Sequence, residues 1–390
     1  MSTPSPIAVS RRRFIQTAVA GGLTTLASAS LWKTAAAMVG GPKGRLVYGA
    51  GLEDPGLVQL SINENPLGPS PHAVEAAAKK LFALNRYPAR EPVLHEAIAR
   101  HHGVTADMVA NGVGSSEILN AITLTAIVNG GGVVEPEPGY GAISGMAEDI
   151  GRPVVRVKLT KDLQIDLDVV RKAITSDTKI VSITNPNNPT GQLLPADALR
   201  KFIDSVPENI IVCVDEAYLD FVDDEQYPSV IPLTKTKRNL FVTKTMSKAY
   251  GLGGMRIGYG IGHPSLIERV KPFYLGWLGR TIIGDAAAIA AFDDDEHVQR
   301  VRTHVRTEKE YLYTELARLG LKPVKTQTIF VIADVGRDTK PLVDQLEARK
   351  ILIRRAFGMP NFIRVSVGTH RENEVFLEVL KEVLNAKTGA

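Results

Sequence analysis

The chain has 390 residues, of which 44% are hydrophobic and 23% charged, and its formal net charge is +4 at pH 7. That is an ordinary globular composition at a length that suits two domains. The segment up to Ala37 carries Arg11, Arg12, Arg13 and Lys33 with no acidic residue, so the remainder is formally near neutral and offers no electrostatic case for nucleic acid. The single cysteine, Cys213, excludes an intramolecular disulfide and reports neither redox compartment.

Taken in order, the chain opens with Ser10-Arg11-Arg12-Arg13-Phe14-Ile15, a mildly apolar Gly- and Ala-rich stretch from Thr17 to Leu31, a lysine, and Ala35-Ala36-Ala37. This pattern resembles a twin-arginine signal peptide, cleaved after Ala37 or at Ala29, and implies the twin-arginine export machinery as a partner and a periplasmic or exported location. The apolar run is too short and too interrupted by Gly, Ser and Thr to span a membrane comfortably. A basic amphipathic arm or an uncleaved anchor is the alternative.

Short apolar runs then read as strands: Val133 to Glu135, Val154 to Leu159, Lys179 to Ile183, Ile210 to Val214, Leu240 to Thr243 and Ile257 to Ile261. They alternate with helical patterns such as Ile118 to Val128 and Leu194 to Asp204, which argues for an α/β domain with a mainly parallel sheet. Beyond Trp277 the pattern shifts to long charged helices, notably Asp294 to Leu319, then two or three strands, including Phe362 to Thr369, and a final helix from Glu372 to Asn385. The expected division is a signal peptide over 1–37, an N-terminal arm over 38–72, a large domain over 73–277 and a smaller α+β domain over 278–390.

Three strand ends carry the chemistry. The run Thr184 to Gly191 reads TNPNNPTG, Val214 leads into Asp215-Glu216-Ala217-Tyr218, and Thr243 leads into a glycine-rich turn holding Thr245, Ser247, Lys248 and Arg256. In open α/β sheets ligands bind beyond the carboxyl ends of parallel strands, which draws Asn188, Asp215 and Lys248 toward one crevice. A lysine beside another cation and partly desolvated has a lowered pKa and attacks carbonyls, so Schiff-base chemistry is expected; a surface lysine in a flexible loop is the alternative. Gly251-Leu252-Gly253-Gly254-Met255-Arg256 is not a dinucleotide fingerprint, because an arginine stands at the third glycine position. Asparagine, aspartate and lysine together suit pyridoxal phosphate, with the aspartate keeping the pyridine nitrogen protonated and Asn188 and Tyr218 on the ring's 3-oxygen. No metal is expected.

NPNNPTG, DEAYLDF and SKAYGLGGMRIGY resemble the fold-type I aminotransferases, and most of all the histidinol-phosphate aminotransferase group, from about Leu60 to the C-terminus. The resemblance implies that Lys248 is the Schiff-base lysine, that Asp215 binds the pyridine nitrogen, and that Ser247 and Arg256 hold the cofactor phosphate. Ser115 and Ser116 in NGVGSSEIL would add hydroxyls and helix N-terminal amides to that phosphate, although an ordinary Ser cap accounts for the pattern almost as well. Tyr140 would stack on the ring. Tyr87 would reach the phosphate of a neighbouring subunit, which makes a homodimer the expected partner, though core packing also explains either tyrosine. Arg364 would clamp the substrate's anionic group, and Arg354, with Arg355 beside it, would recognise a substrate phosphate; a carboxylate and a phosphate suit a guanidinium equally. Asn65 in the loop Asn63 to Pro69 would also contact substrate. Leu67 stands where many members carry a tyrosine, so one substrate contact would be lost.

The implied activity is transfer of an amino group from histidinol phosphate or an L-amino acid, aromatic ones included, to a 2-oxo acid such as 2-oxoglutarate, by ping-pong kinetics. A decarboxylase or β-lyase on the same scaffold is the alternative. A non-catalytic, cofactor-binding regulatory protein is the remote one.

Overall fold

The computed structural model describes residues 56–89 and 93–385. The expected signal peptide and the first part of the arm lie outside the described residues.

Among the described residues thirteen strands run in chain order: β1 Val58–Gln59, β2 Val109–Val113, β3 Gly132–Glu137, β4 Val154–Lys158, β5 Thr178–Thr184, β6 Ile211–Asp215, β7 Leu240–Thr245, β8 Ile257–Gly262, β9 Lys322–Val324, β10 Phe330–Asp334, β11 Ile351–Leu352, β12 Arg354–Ala356 and β13 Met359–Ser366. Seven of them form one sheet in the order β2-β8-β7-β6-β5-β3-β4. The pairings from β7 to β4 are all parallel, whereas β8 runs antiparallel to both of its neighbours. The mainly parallel α/β sheet expected from the sequence is therefore present. The edge strand β2 was not foreseen, because VANGV mixes asparagine and glycine into a short apolar run.

Helices cover both faces of this sheet, and the inner strands accordingly read as unbroken apolar runs. Alternate residues feed two cores. Ile180, Ile211, Cys213 and Phe241 face one, packed under the helix Gly114–Ile127, while Val181, Ile183, Val212, Val214, Leu240 and Val242 face the other. β5, β6 and β7 thus end with their side chains buried, and the polar groups that follow them emerge at one edge of the sheet.

A second sheet, β12-β13-β10-β9, is antiparallel throughout. It packs with the helices Asp295–Arg318, Lys340–Glu347 and His370–Asn385. The long helix begins at the Asp294 cap, whose carboxylate accepts from the His297 amide, carries Asp295 and Glu296 in its first turn, and ends with Arg318, each charge matched to the helix dipole. The last helix starts ahead of the expected Glu372. Thr369 and Glu372 exchange backbone and side-chain hydrogen bonds in a capping box that draws the preceding turn into the helix. Between the two sheets runs the loop from Leu60 to Pro69, tied to β13 by the Ser366 amide donating to the Leu60 carbonyl at 2.8 Å. Among the described residues no helix is long and apolar enough to cross a membrane.

Candidate active site

Beyond the carboxyl ends of β5, β6 and β7 lies a cavity of about 330 Å³, lined among others by Asn188, Asp215, Tyr218, Ser247 and Lys248. The crevice anticipated from three strand ends is one site. Ser115, Ser116, Tyr140, Arg256, Arg354 and Arg364 line it as well.

Lys248 follows β7 at the start of the glycine-rich turn. Its ammonium donates to the main-chain carbonyls of Ile62 and Asn63, each at 2.9 Å. Burial pushes its pKa down to about 8, helped by the positive charges of Arg364 and Arg256 and opposed by Glu64. A lysine near 8 has an appreciable neutral fraction around neutral pH, which a nucleophile and base requires.

Asp215, the last residue of β6, is 5% exposed. Its Oδ1 accepts from Thr243 Oγ1 at 2.9 Å and from the Ala217 amide at 3.2 Å. Burial raises its carboxyl to about 6, while those two hydrogen bonds and nearby Lys244 pull it down. A buried carboxylate of this kind favours a cationic partner in the cavity.

On one side an anion cradle is built from a helix N-terminus and an arginine. Gly114, at φ +75°, opens the helix carrying Ser115 and Ser116, and its amide donates to the Arg256 carbonyl at 2.9 Å. Arg256 itself adopts the left-handed conformation at φ 57°, and its Nη1 donates to the Gly253 carbonyl at 2.8 Å. A Cβ on Gly114 would sit 2.3 Å from Arg256 Nη2, and one on Gly258 would sit 2.0 Å from the Ser115 amide nitrogen. Both positions demand glycine so that β8, the helix end and the guanidinium can converge. Ser115 is not the helix cap: Val113 holds that position, and Glu117 accepts the Val113 amide at 2.7 Å.

On the other side stand the two arginines of the second sheet. Arg354 and Arg364 are directly paired across β12 and β13. Arg364 is 3% exposed; Nη1 donates to Asn188 Oδ1 at 2.7 Å and Nη2 to the Ser61 carbonyl at 2.9 Å. Its guanidinium lies over the rings of Phe357 and Phe330, 4.9 and 5.3 Å from their centroids, and its buried Nε has no partner among the described residues. Strand alternation settles which of the adjacent arginines faces the cavity: Arg355 turns away and donates to Asp338 at 3.0 Å.

Two expected site residues lie elsewhere. Asn65 is outside the cavity lining because its amide is fully engaged, donating to the Lys248 and Ala249 carbonyls at 3.2 and 2.9 Å and accepting the Leu67 amide at 2.9 Å. It braces the lysine turn rather than facing a substrate. Tyr87 is 76% exposed, edge-on to Trp277 at 6.0 Å, and is not in the cavity of its own chain. Sequence reasoning in turn missed Asn63, Glu64 and Phe357, which line the cavity, and the role of Thr243 under Asp215. For Thr243 no local signal existed, since only the pairing of β6 with β7 in the folded sheet sets it opposite Asp215. The donor set suits pyridoxal phosphate: a cradle for a phosphate, a buried carboxylate for a ring nitrogen and an amine with a lowered pKa.

Comparison with known proteins agrees with this geometry. The family Aminotransferase class I and II matches residues 55–380. A histidinol-phosphate aminotransferase of Symbiobacterium thermophilum is 38% identical over 343 residues, covering 86% of this chain and 92% of its own. One from Moorella thermoacetica is 36% identical over 342 residues, with 86% of each chain covered. The crystal structure of the histidinol-phosphate aminotransferase of Sinorhizobium meliloti, in complex with pyridoxal-5'-phosphate, superposes with a TM-score of 0.80 at 28% identity, covering 88% of this chain and 96% of that one. The chain belongs to the class I and II aminotransferases.

Proposed function

We propose that this pyridoxal-phosphate-dependent aminotransferase takes its amino group from a phosphorylated amine of the histidinol phosphate type and delivers it to a 2-oxo acid such as 2-oxoglutarate. The observation that carries this reading is the pair Arg354 and Arg364, set side by side across β12 and β13 on one wall of the cavity. Two guanidiniums suit a doubly charged phosphate, and the buried Arg364 alone suits the carboxylate of the 2-oxo acid in the second half of the cycle. The relatives named above support the same donor.

When bound, the cofactor would supply an electron-withdrawing pyridine ring that makes the donor's Cα–H bond easier to break. The chain supplies everything else. Ser115, Ser116, Ser247 and Arg256 would hold the phosphate, with the helix N-terminus favouring its charge. Asp215 would hold the ring nitrogen in its protonated form, and Asn188 and Tyr218 would hydrogen-bond the 3-oxygen. Tyr140 would stack on the ring. Lys248 would take the donor's Cα proton on its Nζ and later give it up as a general acid, while Arg364 would keep the donor oriented.

A second reading, an aromatic L-amino acid as donor, is favoured by Leu67, which packs against the core rather than offering a hydroxyl to a substrate phosphate. The test is a single turnover of the cofactor-loaded protein with histidinol phosphate, phenylalanine and glutamate added separately, scoring the carbonyl product and the visible absorption. Product from histidinol phosphate at a rate far above that from phenylalanine supports the first reading; the reverse order sinks it. Carbon dioxide from phenylalanine or glutamate, or free ammonia released alongside the product, would instead point to lyase chemistry.

The same reading extends to assembly and location. A homodimer would bring Tyr87 to the neighbouring site, and 1–37 would act as a twin-arginine signal that sends the folded enzyme to the periplasm. The division into a large domain over 73–277 and a small one over 278–390, with substrate between them, completes it.

A further inference from the structure

Asn63 is buried at 2% exposure and holds a left-handed backbone at φ 58°. Its backbone amide donates to Ser366 Oγ at 2.8 Å, Ser366 Oγ donates to Asn63 Oδ1 at 3.0 Å, and Asn63 Nδ2 donates to the Tyr218 phenol oxygen at 2.8 Å. The direction of these bonds is determined by counting protons. Were the amide turned over, Ser366 would accept twice from Asn63 and its own hydroxyl proton would be left without an acceptor at a site only 2% exposed. In the orientation present every group is satisfied, and the Tyr218 oxygen is already an acceptor. A phenol whose oxygen accepts from Asn63 has its one proton free to donate elsewhere, and Tyr218 lines the cavity.

We propose that Asn63 is a positioning residue that fixes the polarity of Tyr218, obliging its hydroxyl to donate into the cavity toward the 3-oxygen of the bound cofactor. The inference rests on the placement of Tyr218 given under Proposed function. Ser366 belongs to it as the group that holds the Asn63 amide in register. Burial also pushes the Tyr218 hydroxyl up to about 12, so the proton to be donated is present at any working pH.

The test reads the pH midpoint of the visible absorption of the cofactor-loaded enzyme, together with the cofactor dissociation constant. A donor to the 3-oxygen favours its unprotonated form, so losing that donor raises the midpoint. Tyr218→Phe is expected to raise it by about one pH unit. Asn63→Asp, which can only accept, takes the Tyr218 proton for itself and is expected to raise the midpoint as well. Ser366→Ala frees the amide to turn and does the same without adding charge, so it carries the test should Asn63→Asp fail to load. In a Tyr218→Phe background Ser366→Ala is expected to have no effect and Asn63→Asp to leave only the part due to its charge. If Tyr218→Phe moves the midpoint but the other two variants do not, or move it equally in both backgrounds, the role of Asn63 is overturned. If Tyr218→Phe loads cofactor and leaves the midpoint unmoved, the placement of Tyr218 itself is wrong, and the inference falls with it.

Discussion

The ammonium of Lys248 donates to the carbonyl oxygen of Asn63 at 2.9 Å, which ties the lysine that follows β7 to a loop far upstream in the chain. Because the acceptor is main chain, no side-chain substitution at Asn63 deletes it. The lysine is thereby held at the cavity wall, where the charges of Arg364 and Arg256 act on it.

Lys248→Ala removes the only lysine among the described residues that line the cavity. Turnover is expected to fall by at least about 10²–10⁴-fold, the range of a positioned acid–base group, with the fold and its far-ultraviolet dichroism intact. Retention of near wild-type transamination would remove Lys248 from the mechanism.

The charge environment of Lys248 sets a pH dependence. With a pKa of about 8, the neutral amine grows as pH rises through that value, so steps that use it as a base should quicken up to about pH 8 and then level. Glu64 acts to raise that pKa, and Glu64→Gln should therefore move the limb to lower pH. A pre-steady-state pH profile of both proteins measures it; a limb displaced upward contradicts the sign.

Asp215 trades stability for function. Its folded pKa of about 6 lies above the 3.8 of an ordinary aspartate, so the folded chain binds the proton more tightly than the unfolded one. The stabilisation is therefore lost as pH rises toward 6, and at neutral pH a penalty on the order of 2–3 kcal/mol remains in the cofactor-free protein. Asp215→Asn keeps an acceptor for Thr243 and Ala217 without the charge. Thermal melts at pH 7 should show the cofactor-free variant more stable than wild type, while its turnover drops steeply; a lower melting temperature would contradict the argument.

Adjacent arginines should separate cleanly. Arg354→Ala is expected to raise KM for a phosphorylated donor by roughly 10–100-fold, the loss of one charge-assisted hydrogen bond, and to spare unphosphorylated donors. Arg355→Ala, which loses only its pairing with Asp338, should change neither. Steady-state kinetics on both donors tells them apart, and equal effects would refute the assignment by strand alternation.

Asn188, Asp215 and Lys248 were readable because each follows an apolar strand, and the rule that ligands gather at strand ends needs no knowledge of the partner strands. Asn65 was misplaced for a related reason. Its motif marks a loop near the site, but whether an amide faces the cavity or a neighbouring turn depends on contacts that no local pattern encodes. Asn63 went unseen because its partners Tyr218, Lys248 and Ser366 lie 155, 185 and 303 residues away.

The sequence by itself determined the strand-and-helix alternation, the family and the residue types of the cofactor site, since periodic burial and polar strand ends are local properties of the chain. Only the tertiary structure decided which way those groups point. Hydrogen-bond polarity at Tyr218, the choice of Arg354 over Arg355 and the bracing of Lys248 from the loop at Asn63 all arise where distant segments meet, and a buried polar group takes its direction from whichever donor or acceptor packing brings within reach.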